Sequence, residues 1–181
     1  NFVTVMLKNE QVKESLEDFL KNKDGLILGI GNGFQALLKL GLLPYGGIRD
    51  IDDNSPSLTI NSNGRYISSM VTTKITSVLS PWLAYSEVGD IYTVPISHRE
   101  GRFVAKDSMI KELEQKGQIA TQYEFYNPNG SISAIEAITS PDGRILGKMA
   151  HSERKGQYIA INVPGNKEQN IFKAGVDYFN V

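Results

Sequence analysis

The chain has 181 residues, 40% of them hydrophobic, with 19 basic and 20 acidic side chains and a formal net charge of −1, enough to bury one ordinary core and to form one domain rather than two. The charges are dispersed, with no basic stripe to neutralise a phosphate backbone, which argues against a nucleic-acid partner. Cysteine is absent and only His98 and His151 are present, so disulfides and a cysteine-based zinc centre are excluded and no metal site is expected.

No apolar run approaches the roughly 20 residues needed to cross a bilayer, and the start Asn1-Phe-Val-Thr-Val-Met6 lacks the basic flank and long apolar region of a signal peptide. A cytoplasmic protein with no membrane partner is expected. Residues 2–7 read as a strand or buried segment in mid-fold, as though the chain were a fragment. Over residues 9–23, Val12, Leu16, Phe19 and Leu20 recur at i, i+4, i+7 and i+8 among charged residues, an amphipathic helix. Residues 25–30 are nearly continuously apolar with helices on either side, as a parallel strand covered on both faces requires, which makes the architecture α/β. A second helix is expected over 32–40, with Gly41 placed where a helix ends in the left-handed region. Residues 42–63 contain Pro44, Gly46, Gly47, Pro56 and Asp50-Ile-Asp-Asp-Asn54, and read as one long surface loop. Strands follow at 66–75, 91–96, 119–125, 132–138 and 145–149, with tight turns at Asn129-Gly130 and Asp142-Gly143. A helix over 107–116, ended by Gly117, interrupts them. In the last segment, 167–179, Ile171, Phe172, Gly175, Val176 and Phe179 fall at helical spacing and are expected to pack back on the sheet. There is no repeat, low-complexity tract or clear linker.

The run Gly25-Leu-Ile-Leu-Gly-Ile-Gly31-Asn-Gly-Phe-Gln35 passes from a strand through a glycine-lined turn into a helix, and it has three readings. The first is a nucleophile elbow: the tip of a sharp strand-to-helix turn, where free helix N–H groups and the helix dipole stabilise an oxyanion near residue 31. The second is a dinucleotide-binding turn, but the third glycine of that pattern would fall at Phe34, and Asp50, Asp52 and Asp53 lie in a loop with no strand to present them. The third is a turn needed only for close packing of strand and helix. Downstream, His151-Ser-Glu153 places a histidine and a carboxylate one residue apart, spaced as a general base and the group that orients it. The strand before it should bring His151 to the carboxyl edge of the sheet; a solvated loop histidine is the plain alternative. Two parts of a triad are thus present, and the tip of the elbow, Gly31, has no side chain.

Seven segments carry an identity together. Gly29-Ile-x-Asn-Gly-Phe-Gln35, Leu40-Gly-Leu-Leu-Pro44, Asn63-Gly-Arg-Tyr66, Val94-Pro-Ile-Ser-His-x-Glu-Gly-Arg-Phe103, Gln118-Ile-Ala-Thr-Gln-Tyr123, Pro128-Asn-Gly-Ser131 and His151-x-Glu-Arg154 occur in one order over nearly the whole chain. They resemble the glutaminase domain of the phosphoribosylformylglycinamidine synthases of purine biosynthesis. The resemblance implies a class I glutamine amidotransferase-like, flavodoxin-like α/β sheet with helices on both faces, in a single domain over residues 1–181. It also implies that an elbow cysteine attacks the side-chain amide of glutamine, releasing ammonia and leaving a glutamyl thioester. The ammonia passes to the synthetase domain of the parent polypeptide, which converts ATP-activated formylglycinamide ribonucleotide to the amidine. No cofactor is implied in this domain; ATP and magnesium belong to the synthetase.

By position in the resemblance, His151 is the general base and Glu153 orients it, the N–H of Asn32 is an oxyanion donor, and Gln35 touches the substrate glutamine. His98, with Glu100 and Arg102, is either the substrate-side wall or a synthetase contact, or else part of a polar loop with a satisfied histidine. Arg65 holds a loop or an interdomain contact, and Gln122 and Tyr126 read as packing and hydrogen-bonding residues. Two departures stand out. The position of the nucleophilic cysteine is Gly31, which predicts an inactive glutaminase or, alternatively, a non-catalytic docking or regulatory domain; the glycine could be natural, engineered or an error of record. The family's Pro-Gly-Gly-Phe-type loop, which supplies the other oxyanion amide, does not precede Asn1, so the chain is expected to be a C-terminal fragment without its N-terminal strands and with an exposed apolar edge or face.

Overall fold

A computed structural model describes residues 9–180; the segment 2–7 expected as a strand lies outside them. In chain order the elements are α1 (Glu10–Asn22), β1 (Ile27–Ile30), α2 (Asn32–Lys39), α3 (Leu42–Tyr45), β2 (Ser57–Ile60), β3 (Ile67–Ile75), β4 (Ile91–His98), β5 (Glu100–Val104), α4 (Asp107–Gln115), β6 (Ile119–Tyr123), β7 (Ile135–Thr139), β8 (Ile145–Lys148) and α5 (Ile171–Asp177), with a 3-10 turn at Pro81–Leu83 and another at Ile132–Ala134. The six-stranded sheet runs β1-β8-β7-β6-β3-β4, and β2 and β5 form a separate ribbon.

β1 pairs with β8 in parallel, as its apolar run predicted. Every other neighbour in the sheet is antiparallel. The links joining β6, β7 and β8 hold no crossover helix, and a parallel pair needs a connection of about a dozen residues or more, usually helical. Helices cover both faces. On one, Phe34, Leu37 and Leu38 of α2, Leu42 and Leu43 of α3, and Met109, Ile110 and Leu113 of α4 pack against Ile119, Ile135, Ile138 and Ile145. On the other, Leu83 of the 3-10 turn and Ile171 of α5 join Val71, Ile75, Tyr92, Val94, Ala120 and Leu146.

Two expectations fail here. Residues 42–63 are not one surface loop: Leu42 and Leu43 are fully buried, and Ser57–Ile60 pairs antiparallel with Glu100–Val104. Proline and glycine mark where regular backbone stops, not how deep it lies, and the run of leucines around Gly41 carries this segment into the core. The face of the final helix also differs. Ile171, Ala174 and Gly175 are buried, whereas Phe172, Val176 and Phe179 face solvent. Trp82 sets this orientation, because its ring lies where a Cβ on Gly175 would be, 2.1 Å away.

Close approach of α2 to the sheet positions the site. Gly29 and Gly147 stand opposite one another in the parallel register of β1 and β8. A Cβ at 29 would lie 2.8 Å from the carbonyl carbon of Gly33, and one at 147 would lie 2.3 Å from the Phe34 ring. Without side chains at these positions α2 lies directly on the two strands, and Phe34, fully buried, stacks on Phe103 with ring centroids 6.3 Å apart. The carboxyl ends of β1 and β8 therefore open side by side beneath the start of α2.

Candidate active site

Gly31 joins β1 to α2 at φ +56°, ψ −110°. Its N–H donates to the carbonyl of Lys148 on β8 at 2.9 Å, and its carbonyl accepts from the N–H of Gln35 at 3.2 Å. The N–H groups of Asn32, Gly33 and Phe34 lie in the first turn of α2, where no intrahelical acceptor exists. Among the described residues a Cβ at position 31 would meet His151 alone, 3.4 Å from Cε1 and 3.6 Å from Nε2, which is ordinary van der Waals contact. The atom beyond such a Cβ could be turned onto Nε2.

His151 follows β8, as the sequence predicted, and both its main-chain groups are held: the N–H donates to Pro95 at 2.8 Å, and the carbonyl accepts from Arg154 at 3.1 Å. Its Nδ1 lies 2.6 Å from Oε1 of Glu153. An ionised carboxylate can only accept, so Nδ1 carries the proton, and in the neutral ring Nε2 presents a bare lone pair toward residue 31. The ring is largely covered while Glu153 is more open to solvent, 13% against 40% exposed.

Gly31, Asn32, Gln35, His98 and His151 line one cleft of about 390 Å³ together with Tyr66, Glu100 and Arg154. Gln35 donates to Oε2 of Glu100 at 3.1 Å. His98 ends β4 and is buried, so it does not lie on a polar loop. The amide nitrogen of Asn61 donates to the carbonyls of Arg65 and His98, at 2.8 and 3.0 Å, so its oxygen is turned to the Gly101 N–H and to Nδ1 of His98, 3.1 Å away. His98 therefore holds its proton on Nδ1, and its buried Nε2, an acceptor, has no partner among the described residues. Burial first, and repulsion from His151 second, push the His98 pKa down to about 4. The ring is neutral at physiological pH.

Arg102 is not part of the cleft; its Nε donates to Gly130 at 3.1 Å. Gln122 makes the kind of bond expected of it, to the Ser133 carbonyl at 2.6 Å. Tyr126 does not pack, being 72% exposed, because it follows the end of β6 on a turn that points outward. Sequence reasoning missed Asn61, whose residue type looks the same whether it closes a turn or fixes a tautomer. It also missed Lys148 and Glu136, the buried charges under the His151 loop. Among the described residues no group of three or more His, Cys, Asp or Glu could hold a metal ion, and no helix is long and apolar enough to cross a membrane.

A strained turn, a histidine with its carboxylate, and helix N–H groups at one cleft are the parts of a covalent hydrolase or amidotransferase site. Comparison with known proteins gives the family. The family model of the CobB/CobQ-like glutamine amidotransferase domain matches residues 1–179. The chain is 39% identical over 132 residues to the phosphoribosylformylglycinamidine synthase subunit PurQ of Synechococcus sp. (strain JA-3-3Ab), covering 73% of this chain and 54% of that protein. It is 41% identical over 144 residues to the subunit of the same name in a strain of Prochlorococcus marinus, covering 79% and 60%. The chain thus spans about half to three fifths of the length of these relatives. Among solved structures, that titled "Structure of PurLQS from Thermotoga maritima" superposes with a TM-score of 0.72 at 26% identity, covering 97% of this chain and 71% of that one. With a family match over nearly its whole length and the fold of a class I glutamine amidotransferase, this chain belongs to the CobB/CobQ-like glutamine amidotransferase domain family.

Proposed function

We propose that this domain is the glutaminase portion of a phosphoribosylformylglycinamidine synthase, working in the cytoplasm beside a synthetase partner, and that glycine at position 31 leaves it unable to hydrolyse glutamine. The observation that carries the reading is the gap between Gly31 and His151. A side chain at 31 would begin 3.6 Å from Nε2 of a histidine whose Nδ1 is held by Glu153 at 2.6 Å. With a cysteine at 31, His151 would take the thiol proton on Nε2, and the thiolate would attack the amide carbon of glutamine. The N–H of Asn32 faces the developing oxyanion, and Gln35, held by Glu100, lies one helical turn away on the substrate side. On collapse of the intermediate, protonated His151 gives its proton to the leaving nitrogen, and ammonia departs. The same imidazole then activates the water that opens the thioester. With glycine there is no sulfur to begin this sequence, and no other side chain stands at the elbow tip.

A second reading is favoured by Gly31 itself: a non-catalytic docking or regulatory domain, with ammonia supplied from outside. One experiment separates the two. Full-length protein with Gly31, and the same protein with Gly31→Cys, are assayed for amidine formation from formylglycinamide ribonucleotide and ATP, with glutamine or with ammonium chloride. The glutaminase reading expects Gly31 protein to use ammonium only and the cysteine variant to gain glutamine-dependent synthesis. A folded cysteine variant that still ignores glutamine refutes it in favour of the docking domain.

A further inference from the structure

Beneath the site lies a pair of charges that the reaction does not touch. Lys148, the last residue of β8, is 1% exposed, Glu136 on β7 is fully buried, and their Nζ and Oε1 atoms stand 3.8 Å apart. Two charges withdrawn from water cost more than their mutual attraction returns unless their remaining hydrogen bonds are made. Here the loop carrying His151 makes many of them. The three donors of the ammonium go to the Ala150 carbonyl at 3.1 Å, the Ser152 hydroxyl at 2.6 Å and Oε1 of Gln169 at 3.2 Å. Glu136 accepts the N–H of Ala150 at 2.6 Å on one oxygen and the Thr121 hydroxyl on the other. Both main-chain groups of Ala150 and the side chain of Ser152 are thus held, and these are the residues on either side of His151. The main chain of the same lysine holds the other half of the site, since its carbonyl accepts the N–H of Gly31 at 2.9 Å.

We propose that Lys148, neutralised by Glu136, is the positioning residue of this site, fixing the separation between residue 31 and Nε2 of His151. The inference rests on reading the site as a triad whose nucleophile position is 31. A role in packing alone would be met by an apolar side chain of the same volume, with no buried charge to neutralise. What such a side chain could not do is fasten the residues before and after His151 to the strand that also fastens Gly31. Burial pushes the pKa of the Lys148 ammonium below its ordinary value, and the neighbouring Glu136 opposes that fall.

The test uses full-length protein carrying Gly31→Cys, with and without the pair Lys148→Met and Glu136→Gln, which removes both charges at nearly constant volume. The readouts are alkylation of the introduced thiol by iodoacetamide at mildly acid pH, where an unassisted thiol is protonated, and kcat and KM for glutamine hydrolysis. In the folded pair variant, alkylation should slow by about tenfold and kcat should fall about 10- to 100-fold, with KM changed by no more than about twofold. Unchanged alkylation and kcat in a folded variant overturn the proposal. Should the pair variant fail to fold, Ser152→Ala, which deletes the 2.6 Å contact with Lys148 together with the hydroxyl's bond to Gln169, decides instead: a several-fold loss in both readouts supports positioning, and no loss overturns it. Alkylation requires no turnover of glutamine, so failure of the underlying reading shows separately. In that case the introduced thiol, with Lys148 and Glu136 intact, would alkylate no faster than a free thiol, and the proposal would fall with the triad.

Discussion

Replacing Gly31 with a residue that carries a Cβ should destabilise the domain through backbone strain alone. At φ +56° and ψ −110° the position lies outside the regions open to L-residues, and a non-glycine residue held in such a region costs about 1–3 kcal/mol. No steric contribution adds to this, because the nearest atoms to the new Cβ would be 3.4 and 3.6 Å away. Relaxation is opposed from both sides, by the Gly31 N–H bond to Lys148 and the Gln35 N–H bond to Gly31. Gly31→Ala and Gly31→Cys are therefore both expected to lose about 1–3 kcal/mol. Gly33 is the control: among the described residues a Cβ there meets nothing within 4 Å, so Gly33→Ala, which narrows the unfolded ensemble, should gain about 0.4–1 kcal/mol. Urea denaturation at constant m-value reads all three. A loss below about 0.5 kcal/mol at position 31 would mean that the turn relaxes and no elbow is built into the fold. A loss above about 5 kcal/mol would mean that the room for a side chain beside His151 is not there.

The remaining predictions concern pH and packing. His98 titrates near 6.5 when unfolded and at about 4 when folded, so between those values the unfolded chain binds the extra proton and stability rises with pH. The contribution is present above about pH 6.5 and is lost as pH falls through 4. The full shift corresponds to about 3 kcal/mol, and solvent at the cleft should reduce it to about 2; urea titrations across this window should show the slope, and His98→Gln should remove it. Phe34→Ala, emptying a fully buried site against Phe103, should cost about 3–5 kcal/mol by the same assay. Gly175→Ala, which would place a Cβ 2.1 Å from the Trp82 ring, should cost about 1–3 kcal/mol despite the better helix propensity of alanine. A thermal melt showing stabilisation there would mean that Trp82 does not pin α5 to the sheet.

Periodic segments were legible in the sequence. The stripe Val12, Leu16, Phe19, Leu20 gave α1 within a residue at either end, and the apolar run before Gly31 gave β1 and its parallel pairing. Strand direction elsewhere was not, because it depends on which runs pair. The ribbon of β2 and β5 was missed because Glu100–Val104 is only five residues long and its partner sits among turn-forming residues. In the site, Gly31, Asn32, Gln35, His98 and His151 were named from sequence and share one cleft, with Glu153 holding His151. Lys148 and Glu136 could not have been found in this way. A lysine in a short strand reads as a residue turned to water, and only the fold brings the carboxylate that lets it be buried.

These features bear on why the cleft beside Gly31 has this form. The Nε2 of His98, unpartnered among the described residues, and the buried charges of Lys148 and Glu136 are each unfavourable or at best neutral for folding. A surface used only for docking gains nothing from any of them, since none is presented outward. His98 lines the cleft between residue 31 and His151, and the Lys148–Glu136 pair holds the residues on either side of His151. Features that oppose stability and converge on one cleft are expected where binding or chemistry set the sequence. Glycine at 31 is the residue that the φ of +56° at this turn favours.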